Sequence, residues 1–353
     1  MTGLPPSSSA GGCLKNEDLK YIETIIKRWT PTIDYIFHSK LLSYLMVNSQ
    51  HIMPLTQLYL SKIKRYAPWM FEHIDLIVEG YGYYISGLLF GICHYERLEK
   101  LHGIRTFSIC EDRIFKASLV CIIADYILDN PELRSTAKSQ MEALIISYTT
   151  KVPYAGPVDA KVKSAFDLLE ELIKTVPGSL SCVIKTFYAE LNSVKQQTQD
   201  LTTDQLFDIE SNKGIMTYEF IGVFINNGTS LSVPREFGLI IQLLDDIADI
   251  HIDIRDRTQT VVLNEIKTDG TIDRIIHKII ACIDALPSHY WIFKILGCLV
   301  VGSMVSTNPY VSSELTNILK PYAPLCDRGK DHDNTPMFRD AFRRHFEYNI
   351  KYM

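Results

Sequence analysis

The stretch from Gly238 to Arg257, GLIIQLLDDIADIHIDIRDR, constrains the fold of this chain more than any other. Its apolar residues recur with the period of an α-helix and not with the alternation of a β-strand. Three acids, Asp245, Asp249 and Asp253, follow one another at intervals of four and therefore stack on one face of that helix. Asp246 is turned about 100° away from this column. The apolar positions are Leu239, Ile240, Leu243, Leu244, Ile247, Ile250 and Ile254.

Carboxylates stacked about 6 Å apart on one helix face repel each other, so the column needs an explanation. One interpretation is a solvated acidic face, which is common on helices. The acids here are embedded among Ile and Leu, which favours a site that faces the interior. Mg2+ would balance their charge, because it binds carboxylate oxygens and is often shared with substrate phosphates. We expect the helix to continue to Arg257, so that Asp253 belongs to the same site.

A second acidic element lies upstream, between Ser118 and Arg134. Asp125 and Asp129 are again four residues apart on an apolar helix, which the following Asn-Pro pair should end. Alone, this pair could be a solvated helix end. Together, the two acidic helices predict that the carboxylates face each other across a helical bundle and form a metal site at the mouth of a cavity.

Nearly every segment from Leu14 onward shows a helical period, and Pro and Gly residues separate the segments. We therefore predict an all-α fold with about ten to twelve helices. Hydrophobic residues make up 46% of the chain and charged residues 22%, which is enough apolar material for a large core. Residues 1–13 are small, polar and rich in Pro and Gly, so we predict a disordered tail followed by one domain over 14–353.

Composition also argues against several classes of function. The net charge of −5 gives no reason to expect nucleic acid as a partner. We expect no membrane span, because the longest apolar candidate, Trp291 to Val305, contains Lys294 and falls short of about 18–20 residues. The N-terminus lacks the features of a signal peptide. The 8 cysteines have no CxxC spacing, which favours reduced core residues in a cytoplasmic protein and not a Cys/His metal site.

Three motifs resemble those of the superfamily that contains the trans-isoprenyl diphosphate synthases and the class I terpene synthases. Gly238 to Asp249 is similar to the second aspartate-rich motif, with Gln242 and a full DDxxD. Asp125 to Arg134 resembles the first aspartate-rich motif, and Ser211 to Phe220 resembles the segment whose lysine contacts the allylic diphosphate. The order and spacing of these motifs fit from about residue 40 to residue 260. The resemblance implies an all-α, single-domain terpenoid synthase bundle with a central active-site cavity.

The resemblance also implies roles for individual residues. Three Mg2+ ions are expected, with Mn2+ as a possible substitute. Two would be bridged by Asp125 and Asp129, and one held by Asp245, Asp249 and Asp253. The substrate diphosphate would be bound by Lys213, Arg134, Arg255 and Arg257, and by an arginine–tyrosine pair formed by Tyr348 with Arg344 or Arg343.

Each cationic residue also has a simpler interpretation. For Arg255 and Arg257 this is a surface ion pair with Asp253 or Asp256. For Lys213, which Gly214 follows, it is a charge at a helix C-terminus. Arg343 and Arg344 could belong to a solvated helix face.

Departures from the family pattern separate two chemistries. A prenyl-chain synthase needs a second basic pocket for isopentenyl diphosphate. Gln50 and Met53 stand where its early Lys and Arg would be, Ser118 replaces a histidine, and Ser135 replaces the second arginine after the first motif. These losses, beside preserved acidic motifs, favour an enzyme that handles one diphosphate. The second position of the first motif is Tyr126 instead of Asp, which we interpret as a packing residue.

The sequence therefore predicts a class I terpene synthase that ionises an allylic prenyl diphosphate, with farnesyl diphosphate as the expected substrate, and forms a cyclic terpene hydrocarbon or alcohol. Cys121 and Ile122, just before the first motif, are expected to influence the depth of the pocket. A trans-isoprenyl diphosphate synthase with an unusual acceptor pocket remains open as an alternative, as does a non-catalytic helical regulatory subunit. A homodimer is a candidate assembly.

Overall fold

The computed structural model describes residues 14–38, 49–94, 107–154, 159–305, 308–319, 346–347 and 350–351. Throughout these ranges the chain forms helices and turns and contains no β-strand. The predicted all-α fold class is thus confirmed for the described part of the chain. The predicted tail at 1–13, together with Arg343, Arg344 and Tyr348, lies outside the described residues.

The helices have the following bounds in chain order, with short 3-10 helices at Pro68–Glu72, Pro177–Ser179 and Ser288–Tyr290: α1 Asn16–His38, α2 Ser49–Tyr66, α3 Ile74–Cys93, α4 Phe107–Asp129, α5 Pro131–Thr150, α6 Ala160–Thr175, α7 Leu180–Ser193, α8 Lys195–Thr198, α9 Thr203–Ile225, α10 Arg235–Ala248, α11 Ile250–Asp256, α12 Val261–Asp269, α13 Asp273–Ala285, α14 Trp291–Val305 and α15 Ser313–Leu319. These described α-helices already outnumber the predicted ten to twelve, because short segments such as α8 and α11 are separate helices.

Several helix ends follow directly from local sequence chemistry. Asn130 precedes α5, and its side chain accepts a hydrogen bond from the backbone N–H of Glu132 at 2.9 Å, while Pro131 takes the first helical position. Thr260 caps α12 in the same way. Gly270 ends α12 with a φ of 74°, a left-handed conformation that glycine adopts without steric cost.

The chain divides into two compact units. The first, unit 1, comprises residues 1–52, 195–215 and 234–339, and the second, unit 2, comprises 53–194, 216–233 and 340–353. One boundary falls within α9, between Ile215 and Met216. Each unit has its own buried core, so each is described by itself.

In unit 1, α10 is the central helix of the core. It packs against α12, α13 and α14, and α1 packs against α13 and α14. Phe237 and Tyr290 are fully buried, with ring centroids 5.0 Å apart. This packing anchors the start of the acidic segment that continues through α10 and α11.

In unit 2, α4 is the central helix of the core. It packs against α3, α5, α6 and α7. Its Phe115 lies 5.7 Å from both Tyr59 and Tyr84, measured between ring centroids, and all three rings are buried. The first acidic motif is therefore at the end of a helix that is held on several sides.

One described helix, Ile74–Cys93, is long and apolar enough to cross a membrane by length and composition alone. The expectation that Trp291 to Val305 is the longest apolar candidate was therefore wrong. Inside unit 2, 56% of its apolar window is buried, as in the core helix of a folded unit. This burial agrees with the expectation that the chain has no membrane span.

Candidate metal and diphosphate site

The acidic segment of unit 1 spans two helices. α10 ends at Ala248, and Asp249, with φ −104° and ψ 13°, separates it from α11. Backbone hydrogen bonds continue across the interruption, from Asp249 N to Asp245 O and from Asp253 N to Asp249 O, both at 2.9 Å. The column of acids therefore persists. The prediction of one helix continuing to Arg257 was wrong, because the first helix ends at Ala248. A second helix, α11, then continues to Asp256, where the left-handed Arg257, with φ 59°, ends it.

Burial of the acids differs from the sequence expectation. Asp245 is exposed, and Asp249 and Asp253 are half-buried. Asp246, which the helical wheel places off the column, is the buried acid, with 5% of its surface exposed. The face that points into unit 1 is thus turned toward Asp246.

Asp253 has the strongest indication of uncompensated charge along the column. The pKa of its carboxyl is raised to about 8, first by burial and then by the neighbouring carboxylates of Asp246, Asp249, Asp245 and Asp256, in that order. A cation would remove this repulsion, and carboxylate oxygens are the ligands that Mg2+ prefers. The donor set therefore fits a divalent cation. Within the described ranges, no three His, Cys, Asp or Glu side chains converge closely enough to hold one as they stand.

Glu210 of α9 is a partner of this site that the sequence analysis missed. It is 1% exposed, and its carboxyl lies within hydrogen-bonding distance of that of Asp246. Glu210 Oε1 accepts hydrogen bonds from Val261 N at 2.8 Å and Gln196 Nε2 at 3.4 Å, whereas Asp246 Oδ1 accepts one from Gln242 Nε2 at 3.3 Å. Among the described residues, no donor reaches the other two oxygens, Glu210 Oε2 and Asp246 Oδ2.

Two buried carboxyl groups this close do not both ionise at neutral pH. Burial raises the pKa of Glu210 to about 7, and burial together with the charge of Glu210 raises the pKa of Asp246 well above its ordinary range. A proton on either carboxyl allows that group to donate a hydrogen bond to the other. The pair thereby joins α9 to α10 beside the acidic column. The sequence signal for Glu210 was its position three residues before Lys213, one turn earlier on the same helix face.

Glu210 also connects the site to the start of α12. Gln196 Nε2 donates to Gln259 O at 2.9 Å, and Gln259 N donates to Gln196 O at 2.9 Å. Leu201 N donates to Gln259 Oε1 at 3.2 Å. These bonds hold the segment after α11 against the segment before α9, within unit 1.

Lys213 lies in the interior of α9 and is half-buried. The alternative in which it marks a helix C-terminus is therefore wrong. Its positive charge lowers the pKa of Glu210, which places it within electrostatic reach of the acidic cluster. The adjacent Gly214 lies against Gly238 of α10, and a Cβ on Gly214 would be 2.9 Å from Gly238 Cα. Two glycines thus allow α9 and α10 to approach closely beside Lys213.

The two arginines after the column are exposed. Arg255 Nε forms an ion pair with Asp256 Oδ1 at 2.7 Å, which is the surface pairing considered as its simpler interpretation. Arg257 has the left-handed backbone conformation that ends α11. Their role in binding a diphosphate stays a prediction.

The first acidic motif lies in unit 2, at the end of α4. Asp125 is half-buried and accepts a hydrogen bond from the Tyr83 hydroxyl at 2.9 Å. Asp129 is exposed and is the last residue of α4. Arg134 Nε donates to Leu128 O at 2.5 Å, so its guanidinium lies at the C-terminal end of the same helix. Unit 2 thus brings Asp125, Asp129 and Arg134 to one helix end.

Of the residues at the positions compared with a second diphosphate pocket, Ser118 has another partner and Ser135 is exposed. Ser118 is 1% exposed, and its hydroxyl donates to Tyr83 O at 3.3 Å. Ser135 is exposed near the start of α5. Gln50 and Met53 lie in α2, but their side chains are outside the described part of the structure.

An apolar cavity of about 70 Å³ lies inside unit 2. Cys121, Ala124 and Leu128 of α4 line it, with Phe166, Phe187 and Phe220 from neighbouring helices. Ile122 is buried and is not among its lining residues. The cavity has room for about two waters, which is too little for a prenyl chain, so the predicted central cavity remains a prediction.

Comparison with protein-family models, with characterised proteins and with solved structures finds no match for this chain. The resemblance described above therefore rests on its three motifs.

Proposed function

We propose that the protein is a class I terpene synthase, a single-domain helical bundle whose central cavity receives one allylic prenyl diphosphate. Farnesyl diphosphate is the proposed substrate, and a cyclic terpene hydrocarbon or alcohol plus inorganic diphosphate are the proposed products. The observation that carries this proposal is the column of carboxylates in unit 1, where burial and then the neighbouring acids raise the pKa of Asp253 to about 8. An array of this kind is unfavourable unless a proton or a cation joins it.

Asp245, Asp249 and Asp253 would hold one Mg2+, and Asp125 with Asp129 would hold two more. Bound Mg2+ neutralises the charge that develops on a departing diphosphate. Lys213 contributes a fixed positive charge at the acidic cluster. The Glu210–Asp246 pair orients α10 so that the three acids keep their spacing, because it fixes the helix from its buried side.

The acceptor-free reaction is preferred over chain elongation because of the environment of Ser118. Its side chain is buried and donates to a backbone carbonyl, so it supplies no cation for a second diphosphate. A diphosphate buried without cationic partners would be strongly destabilised. A trans-isoprenyl diphosphate synthase remains the alternative function, and it predicts that isopentenyl diphosphate is consumed.

The discriminating experiment supplies C10, C15 and C20 allylic diphosphates with Mg2+, each with and without labelled isopentenyl diphosphate. The proposal expects a terpene and inorganic diphosphate from one of them, at a rate that isopentenyl diphosphate does not change. Incorporation of the label into a longer prenyl diphosphate at a matching rate would establish the alternative. Absence of any turnover with all substrates, in protein shown to be folded, would favour the regulatory-subunit hypothesis.

A further inference from the structure

Lys161, on the first turn of α6 in unit 2, has an unusual environment for a lysine. Its Nζ donates a hydrogen bond to the Tyr126 hydroxyl at 3.0 Å. The same nitrogen lies 5.1 Å from the centroid of the Tyr126 ring and 5.6 Å from that of Trp69. The ammonium is therefore held by a phenol and two aromatic faces.

The aromatic residues around it are themselves fixed. Tyr126 lies 5.5 Å from both Trp69 and His73, measured between ring centroids. Trp69 Nε1 donates to Ser164 Oγ at 3.0 Å, which ties the indole to α6. A lysine side chain normally samples many rotamers, so this enclosure reduces the entropy that Lys161 would lose on binding a ligand.

Lys161 is half-buried. Among the described residues, no carboxylate forms an ion pair with it. Lys163, two residues later, pairs with Asp167 at 2.5 Å, and the buried Lys116 pairs with Glu171 at 2.6 Å. Aromatic faces attract a cation but leave its net charge in place. One N–H of the ammonium is given to Tyr126, and two remain for an anion.

The position of this cation connects it to the first acidic motif. Tyr126 directly follows Asp125, and it is three residues from Asp129, so the two side chains are neighbours on the surface of α4. Tyr126, at the second position of the first acidic motif, therefore holds the Lys161 ammonium beside Asp125 and Asp129. We propose that Lys161, positioned by Tyr126 and Trp69, binds the diphosphate group at this end of α4. This inference rests on the proposed function, and it assigns a binding residue that no motif contains.

The test compares Lys161→Met with Lys163→Met, a matched substitution on the same helix that removes an exposed lysine already paired with Asp167. Binding of inorganic pyrophosphate in the presence of Mg2+ is measured by titration calorimetry for both variants and the parent protein. We expect binding to weaken roughly tenfold or more in Lys161→Met and to be unchanged in Lys163→Met, since a charged hydrogen bond is lost only in the first. Tyr126→Phe should show a smaller loss, because it removes the hydroxyl and keeps the ring.

A structural role is separated from binding by the thermal midpoint and by Lys161→Arg. The arginine variant should recover most of the affinity, whereas a variant that merely unfolds would show a lowered midpoint and no recovery with arginine. Steady-state kinetics should show a raised KM for farnesyl diphosphate in Lys161→Met with a small change in kcat.

Equal pyrophosphate affinity in the parent and Lys161→Met, or no pyrophosphate binding by the parent, would overturn the inference. Parent protein that binds pyrophosphate but turns over no allylic diphosphate would instead contradict the proposed function, and the two failures are therefore distinguishable.

Discussion

The close approach of α9 and α10 at Gly214 and Gly238 leads to a sharp prediction for Gly214→Ala. A Cβ added to Gly214 would contact the backbone oxygen of Gly238 and lie 2.9 Å from its Cα. Ordinary contact begins near 3.4 Å, and the obstacle is backbone and not the end of a flexible side chain. The two helices of unit 1 must therefore separate to accommodate one methyl group.

The expected cost follows from two opposing effects. Overpacking of this kind destabilises by about 1–3 kcal/mol, and a backbone obstacle places this site near the upper end. Alanine in place of glycine within a helix returns about 1 kcal/mol. We therefore expect the free energy of unfolding to fall by about 2 kcal/mol. Turnover should fall as well, because Lys213 is adjacent and would move away from the acidic column.

Gly82→Ala is the matched control. It makes the same substitution within α3, where an added Cβ meets nothing within 4 Å. Only the helix propensity changes there, so stability should rise by about 0.5–1 kcal/mol. Urea denaturation of both variants measures the difference. If Gly214→Ala proved as stable as Gly82→Ala, the close packing of α9 on α10 would be refuted.

Three further predictions concern the carboxylates. Alanine at any one of four predicted metal ligands, Asp125, Asp129, Asp245 and Asp249, should nearly abolish diphosphate release while circular dichroism and the unfolding midpoint hold or rise, since removing a carboxylate relieves repulsion. Glu210→Gln should keep the fold and most activity because a neutral amide can still bond Asp246, whereas Glu210→Leu should lose both; equal loss in the two variants would argue against the hydrogen bond between the two carboxyls. In chelator, the free energy of unfolding should fall as pH rises from about 4.5 to about 8, because the folded state raises the pKa of Glu210 to about 7 and of Asp253 to about 8. The two carboxyls contribute their full stabilisation of the fold below their ordinary pKa values. This contribution is lost as the pH rises through the raised pKa values. A urea midpoint that increases with pH over this range would contradict the assignment.

The sequence predicted correctly those features of the helices that depend on neighbouring residues. The helical period of α4 and α10 is a property of neighbouring residues, and the Asn130–Pro131 pair ends one helix and begins the next as expected. The end of α10 at Ala248 was not expected, because the apolar period continues through Asp249 without a proline or glycine.

Contacts between distant segments were beyond the sequence analysis. The helical wheel gave the angle between Asp245 and Asp246, but which of them is buried depends on Glu210, 36 positions upstream of Asp246. Tyr126 was expected to pack, and it does contact Trp69, but its bond to Lys161 depends on where α6 lies against α4. Such pairings are set by the packing of helices and not by spacing along one of them.

The central claim is that the two acidic motifs bind Mg2+ to ionise an allylic diphosphate. Release of inorganic diphosphate from farnesyl diphosphate, measured in EDTA and then after addition of excess Mg2+ or Mn2+, tests it most directly. We predict no release in the chelator and full recovery with either metal. Undiminished turnover in EDTA would contradict the claim.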